Sequence, residues 1–167
     1  APELTLAQGM RWHLFLALVW GTGQDQCATI KRQLTLLMPS VSIFLDVDDL
    51  KDIGALEEYV DATAIIMIFV SKGYFGSKNC LREAVCTVNK RKRITLVHDS
   101  AVYLKSYSPL EEIKDELSSE RAATELGKAQ EGAGEGKLLS TAQLRATIFQ
   151  EDEASPREVI PWHRIKD

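Results

Sequence analysis

The stretch Ala64-Ile65-Ile66-Met67-Ile68-Phe69-Val70 constrains this chain more than any other segment. An unbroken apolar run, mostly β-branched or aromatic, reads as a strand covered on both faces, which is the habit of a parallel sheet packed between helices. Neighbouring segments repeat the theme. Trp12 to Val19 reads as a first strand, Val41 to Leu45 as a second, and Ile94 to Val97 as a fourth that ends at His98-Asp99. Between them lie a polar turn at Gly21–Asp25 and a helix with Ile30, Leu34, Leu37 and Met38 at helical spacing, stopped by Pro39-Ser40. A charged loop, Asp46 to Gly54, leads to a short helix with Leu56, Tyr59 and Val60 on one face. A further helix buries Leu81, Ala84, Val85 and Val88. Strands alternating with helices predict an α/β three-layer sandwich with a central parallel sheet.

Beyond residue 105 the pattern turns polar. Ser108-Pro109-Leu110-Glu111 predicts a helix start with Ser108 as N-cap, a thin apolar face of Leu110, Ile113 and Leu117, and Gly127 as its end cap. Lys128 to Lys137 reads as a flexible loop and Ser140 to Gln150 as a helix. Glu158 to His163 reads as a last short strand, and Pro161 assigns it to an edge or a strand end. The expectation is one domain over 1–167, with a core at 12–99 and 158–165 and a polar, partly flexible extension at 105–157.

Composition removes several function classes. The formal net charge of -4 argues against a nucleic-acid partner. The basic cluster Lys90-Arg91-Lys92-Arg93 fits a helix C-terminus, where cations are favoured. The apolar run from Leu14 to Trp20 is too short to span a bilayer, so no membrane partner is expected. The three cysteines, Cys27, Cys80 and Cys86, fit neither a disulfide framework nor a metal site, and a cytoplasmic setting is expected.

Glu83 is the candidate catalytic residue. It follows the buried third strand by a short turn, near the start of a helix, where open α/β sheets place their ligands. On the helical wheel it lies away from the stripe Leu81, Ala84, Val85 and Val88, so it faces solvent or a cleft. Its bland alternative is a carboxylate favoured by the positive end of the helix. Trp20 ends the first strand and could stack on a ring, or fill the rim of the core. Ser71 and Tyr74 could contact a sugar or phosphate, or shape the loop before the helix; Asn79 could line the site or cap that helix. Asp46, Asp48, Asp49 and Asp52 share one loop, which suits a solvated protein-contact surface better than a metal site.

Four segments together resemble the Toll/interleukin-1 receptor (TIR) domain family. Trp12-His13-Leu14-Phe15-Leu16-Ala17 sits where the family has its first-strand motif. Val41 to Leu50 resembles the second strand and the interaction loop after it. Phe69-Val70-Ser71 followed by Tyr74, Ser77, Cys80 and Glu83 is similar to the stretch S-x-x-[YF]…S-x-W-C-x-x-E, and Pro161-Trp162-His163 resembles the late F-W box. The departures are Ala17 for Ser, His13 for Asp, Leu18-Val19-Trp20 for basic or polar residues, and Asn79 for Trp. The resemblance implies a flavodoxin-like fold whose last helix is truncated here. It implies that Glu83 cleaves the nicotinamide–ribose bond of NAD as substrate, with no cofactor or metal, with Trp20, Ser71, Tyr74 and Asn79 as substrate contacts. It also implies self-association through an interaction loop containing Asp46, Asp48, Asp49, Leu50 and Gly54. The alternative it implies is a non-catalytic module that assembles signalling complexes by homotypic contacts.

Overall fold

The computed structural model describes residues 4–45, 53–133 and 137–163; the aspartates at 46, 48, 49 and 52, and Leu50, lie outside them. Five parallel strands form one sheet: β1 Trp12–Ala17, β2 Ile43–Leu45, β3 Thr63–Val70, β4 Arg93–Asp99 and β5 Val159–Trp162. Their order is β2-β1-β3-β4-β5. The apolar run at 64–70 therefore lies in the middle, flanked by β1 and β4, with Ile66 in register with Phe15 on one side and Ile94 on the other. This is the flavodoxin-like α/β arrangement expected from the alternating pattern. Pro161 sits on the edge strand β5, where its missing N–H costs no ladder bond on the open side.

Strand alternation divides the core into two halves. Phe15, Ala17, Ile66, Ile68, Val70, Ile94 and Leu96 point to the face covered by α2 (Ile53–Asp61), α3 (Lys78–Asn89) and the chain from 110 to 149. Leu14, Leu16, Ile43, Phe69 and Val97 point to the face covered by α1 (Trp20–Leu37). On that second face Ile65, Met67 and Trp162 are only half-buried, because α1 is the one described helix that packs there.

Several expectations are corrected. The polar turn at 21–25 does not form; α1 starts at Trp20, directly after the strand, and takes Gly21 through Asp25 into its first turns. Gly23 allows this, since a Cβ there would stand 3.2 Å from the Phe69 ring. The buried stripe of α1 is Gly23, Gln26, Cys27 and Ile30, and Leu37, its last residue, is exposed. Gly54 belongs to the first turn of α2 instead of the loop before it. Gly127 lies inside a helix and caps nothing, because the single helix expected after Ser108 is three pieces: α4 Leu110–Asp115, a 3-10 turn Glu116–Ser118 and α5 Glu120–Ala129. Ser119 breaks the run by capping α5, accepting the Ala122 N–H at 3.1 Å. Ser108 is not the cap of α4; its hydroxyl donates to Glu112 while its carbonyl meets His98 Nε2 at 2.8 Å.

The largest correction concerns 105–157. Ile113, Leu117, Leu126, Leu144, Ile148 and Phe149 are all buried in the main core, and Phe149 meets Phe75 edge-on at 5.9 Å. α6 (Thr141–Phe149) is the helix expected at 140–150. It begins with a capping box in which Ser140 and Gln143 satisfy each other's backbone N–H. Its other end is held by Arg157, whose guanidinium donates to the carbonyls of Ile148 at 2.7 Å and Ile94 at 2.9 Å, locking α6 to the start of β4. A cation at a helix C-terminus also meets the negative end of the dipole.

A charged cluster closes the outside of this region. Lys114 and Arg145 both reach Glu151, at 2.9 and 3.1 Å, and hold its carboxyl below the usual carboxylate range. A carboxyl depressed in the folded state adds stability that is present above its unfolded pKa and is lost as the pH falls through its folded value. Glu151→Gln is therefore expected to lower the melting temperature at pH 7 and to leave it unchanged near pH 3, as read by thermal melts across that range. An equal loss at both pH values would assign the effect to packing.

Candidate functional site

The order β2-β1-β3 places the topological switch point between β1 and β3, and a ligand crevice is expected outside the carboxyl ends of those strands. Two hydroxyls bridge that point. Thr22 Oγ1 lies 2.8 Å from the Lys72 carbonyl, to which it must donate, so Ser71 supplies the proton in the 2.8 Å Ser71–Thr22 bond. Ser71 is thus engaged in joining the start of α1 to the end of β3, and it is buried.

The turn after β3 is shaped from a distance. Gly73 adopts φ of 89°, a left-handed conformation that suits glycine, and leads into a 3-10 turn at Tyr74–Gly76. Glu116 accepts the Gly73 N–H at 2.8 Å and the Phe75 N–H at 3.2 Å. Burial raises the Glu116 pKa against the lowering effect of those two bonds. A raised carboxyl contributes stability below its unfolded pKa that is lost as the pH rises through its folded value, the opposite of Glu151. Glu116→Ala leaves two backbone donors without their acceptor and is expected to cost about 1–3 kcal/mol. Amide hydrogen exchange should speed up at Gly73 and Phe75 first; protection unchanged there would refute the role.

Tyr74 and Phe75 are fully buried, with ring centroids 5.0 Å apart, so Tyr74 stands in the core and not at a rim. α3 then begins behind Ser77, which caps it by accepting the Cys80 N–H. Asn79 therefore is not the cap; it is exposed. Cys80 points its thiol at the Leu18 carbonyl, 3.4 Å away and just past the end of β1. Glu83 is one turn further along the same side of α3, since residues three apart are neighbours on a helix. It is 4% exposed.

That burial speaks against the helix-dipole reading of Glu83. A carboxylate placed only to favour the helix dipole sits in the first turn and in water, where the dipole acts. Glu83 is the sixth residue of α3 and is withdrawn from solvent. The expectation that it faces solvent or a cleft is corrected: the flank of α3 that it occupies is covered. The row Cys80, Glu83, Thr87 faces inward, and Thr87 Oγ1 returns a 2.7 Å hydrogen bond to the Glu83 carbonyl.

Trp20 is separated from this row. It is 36% exposed and lines an open cleft of about 430 Å3 with Gly21, Thr22, Gln24, Asp25, Gln26, Leu104 and Ser106. Of the five candidate side chains Trp20, Ser71, Tyr74, Asn79 and Glu83, Trp20 alone lines it. The sequence reading missed the buried partner of that cleft, Gln26 with Asp99; a polar residue in the inward stripe of α1 was the available signal.

No described group of His, Cys, Asp and Glu side chains could hold a metal ion. None of the three cysteines is in a disulfide, and burial pushes the Cys27 thiol up to about 12 and Cys86 to about 11, which keeps both protonated and unreactive near neutral pH. No described helix is long and apolar enough to cross a membrane. Comparison with protein-family models and with curated proteins found no match to this chain.

Proposed function

We propose that this chain is a TIR-like domain that cleaves NAD between nicotinamide and ribose, with Glu83 as its catalytic residue. The observation that carries the reading is a carboxylate removed from solvent on α3, one turn beyond the thiol that touches the end of β1 at the switch point. The reaction suits a single carboxylate. The bond from ribose C1′ to the pyridinium nitrogen breaks, its electron pair stays on nitrogen, and nicotinamide leaves neutral without a proton. Water then adds to C1′ and releases a proton. The developing positive charge on the ribose is what a nearby carboxylate stabilises, most strongly where water is excluded. Ordinary glycosidases need a second carboxyl to protonate a poorer leaving group.

In this reading Ser71 and Tyr74 shape the site without touching substrate, because one is committed to Thr22 and the other is in the core. Self-association in the cytoplasm through the segment from Asp46 to Gly54, which ends in the first turn of α2, completes the site from a neighbouring copy. A second reading, a non-catalytic module assembling signalling complexes through like domains, is favoured by Asn79, an exposed amide where a stacking ring would be needed. Nicotinamide release from NAD, followed over a wide range of protein concentration, separates the two. Release that rises faster than in proportion to protein supports assembly-dependent catalysis. Self-association without any release leaves the assembly module.

A further inference from the structure

We propose that Glu116 and Arg121 form an acid-sensitive clamp on the turn that launches α3, which makes Glu116 a positioning residue for Glu83. Both lie between β4 and β5, far along the chain from the turn they hold. Glu116 accepts the Gly73 N–H on one carboxylate oxygen and the Phe75 N–H on the other. Arg121, in the first turn of α5, donates from Nε to the Gly76 carbonyl at 3.2 Å. The turn is therefore gripped by an anion at its beginning and by a cation at its end. The grip is close, since a Cβ on Gly76 would stand 3.3 Å from Arg121 Nε. Ser77 follows at once and caps α3, the helix that carries Glu83.

The hold depends on charge. An ionised carboxylate accepts on both oxygens, whereas a protonated one turns one oxygen into a donor. A turn that presents two N–H groups loses one hold when Glu116 takes up a proton, and the other loses the strength that charge lends it. Burial is the largest influence on Glu116 and favours the neutral form, so the proton returns above the ordinary glutamate value of 4.5. Lys72 on the turn and Arg121 on α5 oppose it in part. The other charged neighbours are engaged elsewhere or turned to water. On α4, Glu111 meets Lys114, Glu112 takes the Ser108 hydroxyl and Asp115 meets Arg145. On α6, Arg145 is shared by Asp115 and Glu151. Glu120 of α5 is exposed, and the 3-10 turn at Tyr74–Gly76 brings only the buried Tyr74 phenol. Because the folded value is raised, keeping Glu116 charged at neutral pH gives up stability that the protonated form supplies. Ionisable groups held at such a cost cluster at functional sites. The effect on catalysis rests on the NAD reading; the clamp itself does not.

The test is an NMR pH titration of the full chain, following the assigned backbone amides of Gly73 and Phe75. In the wild type both resonances are expected to move together with one midpoint above the ordinary glutamate value of 4.5. Glu116→Gln should abolish that movement in both. Arg121→Gln keeps a donor but removes the positive charge that favours ionised Glu116, so it should shift the midpoint further up. Amides that do not titrate in the wild type, or that titrate unchanged in Glu116→Gln, would overturn the clamp. A midpoint that stays or falls in Arg121→Gln would remove Arg121 from it. Nicotinamide release is then measured over the same pH range. Release should rise with pH through the amide midpoint, and Glu116→Gln should move that limb. At neutral pH the variant should lower kcat by about two- to tenfold, the worth of one hydrogen bond, with little change in KM. An acid limb in the same place in both proteins would overturn the link to Glu83. No release from any of the proteins counts against NAD cleavage, while the amide titration still decides the clamp.

Discussion

Glu83→Gln is expected to reduce nicotinamide release from NAD by about a hundredfold to a thousandfold while leaving the fold intact. The magnitude follows from charge. A neutral amide fills the same space but offers no negative charge to a ribose that becomes cationic, and removing one such stabilising group in a water-excluded site commonly costs two to three orders of magnitude. A thousandfold corresponds to about 4 kcal/mol of barrier. The conservative substitution matters because Glu83 is buried on a helix that packs against α2, α5 and α6, and a truncation to Ala would open a void as well. The melting temperature of the variant is therefore measured alongside. Release that persists at the wild-type rate removes Glu83 from the chemistry, whichever way stability moves.

Phe149→Ala is expected to destabilise the domain by about 3–5 kcal/mol, the usual loss for a phenylalanine removed from a packed core. Phe149 is the last residue of α6, lies against Phe75 of the turn after β3, and has the Lys114 ammonium 5.1 Å from its ring centre. Against a total stability of about 5–15 kcal/mol for a domain, that loss is large, and it should lower the melting temperature by roughly 6–20 °C at 2–4 °C per kcal/mol. Leu138→Ala, an exposed position in the same region, serves as the contrast and is expected to stay within about 0.5 kcal/mol. If both substitutions were equally mild, the segment from 110 to 149 would be an appendage and not part of the core.

That second prediction marks where local reading fell short. Along 105–157 the apolar residues are sparse: Leu110, Ile113 and Leu117, then Leu126, then Leu144, Ile148 and Phe149. Each piece alone has too thin a face to identify a buried helix. The structure brings three short pieces together on one face of the sheet, and their summed surface makes the core. The capping serines Ser119 and Ser140 were visible in the sequence, but where α5 would break from α4 was a matter of packing. At α1 the glycines at 21 and 23 suggested a turn by propensity. Close approach to Phe69 and Ser71 overrode it, because a residue without Cβ is what that contact requires.

The candidate site divides in the same way. The position of Glu83 on the helix after β3 was legible because a short turn after a buried strand fixes where the next helix begins, and that distance is a property of the chain. Its burial was not legible, since the helical wheel registers one neighbouring surface and α3 has several. The pairing of Thr22 with Ser71, of Gln26 with Asp99, and of Glu116 with the backbone at Gly73 spans dozens of residues in each case. The sequence by itself determined the parallel sheet, its central strand and the helices on its flanks, because hydrophobic periodicity is a local code for which face meets water. Only the tertiary structure decided which polar groups are shut away together and which cleft is left open, because those outcomes depend on distances between segments that no local pattern specifies.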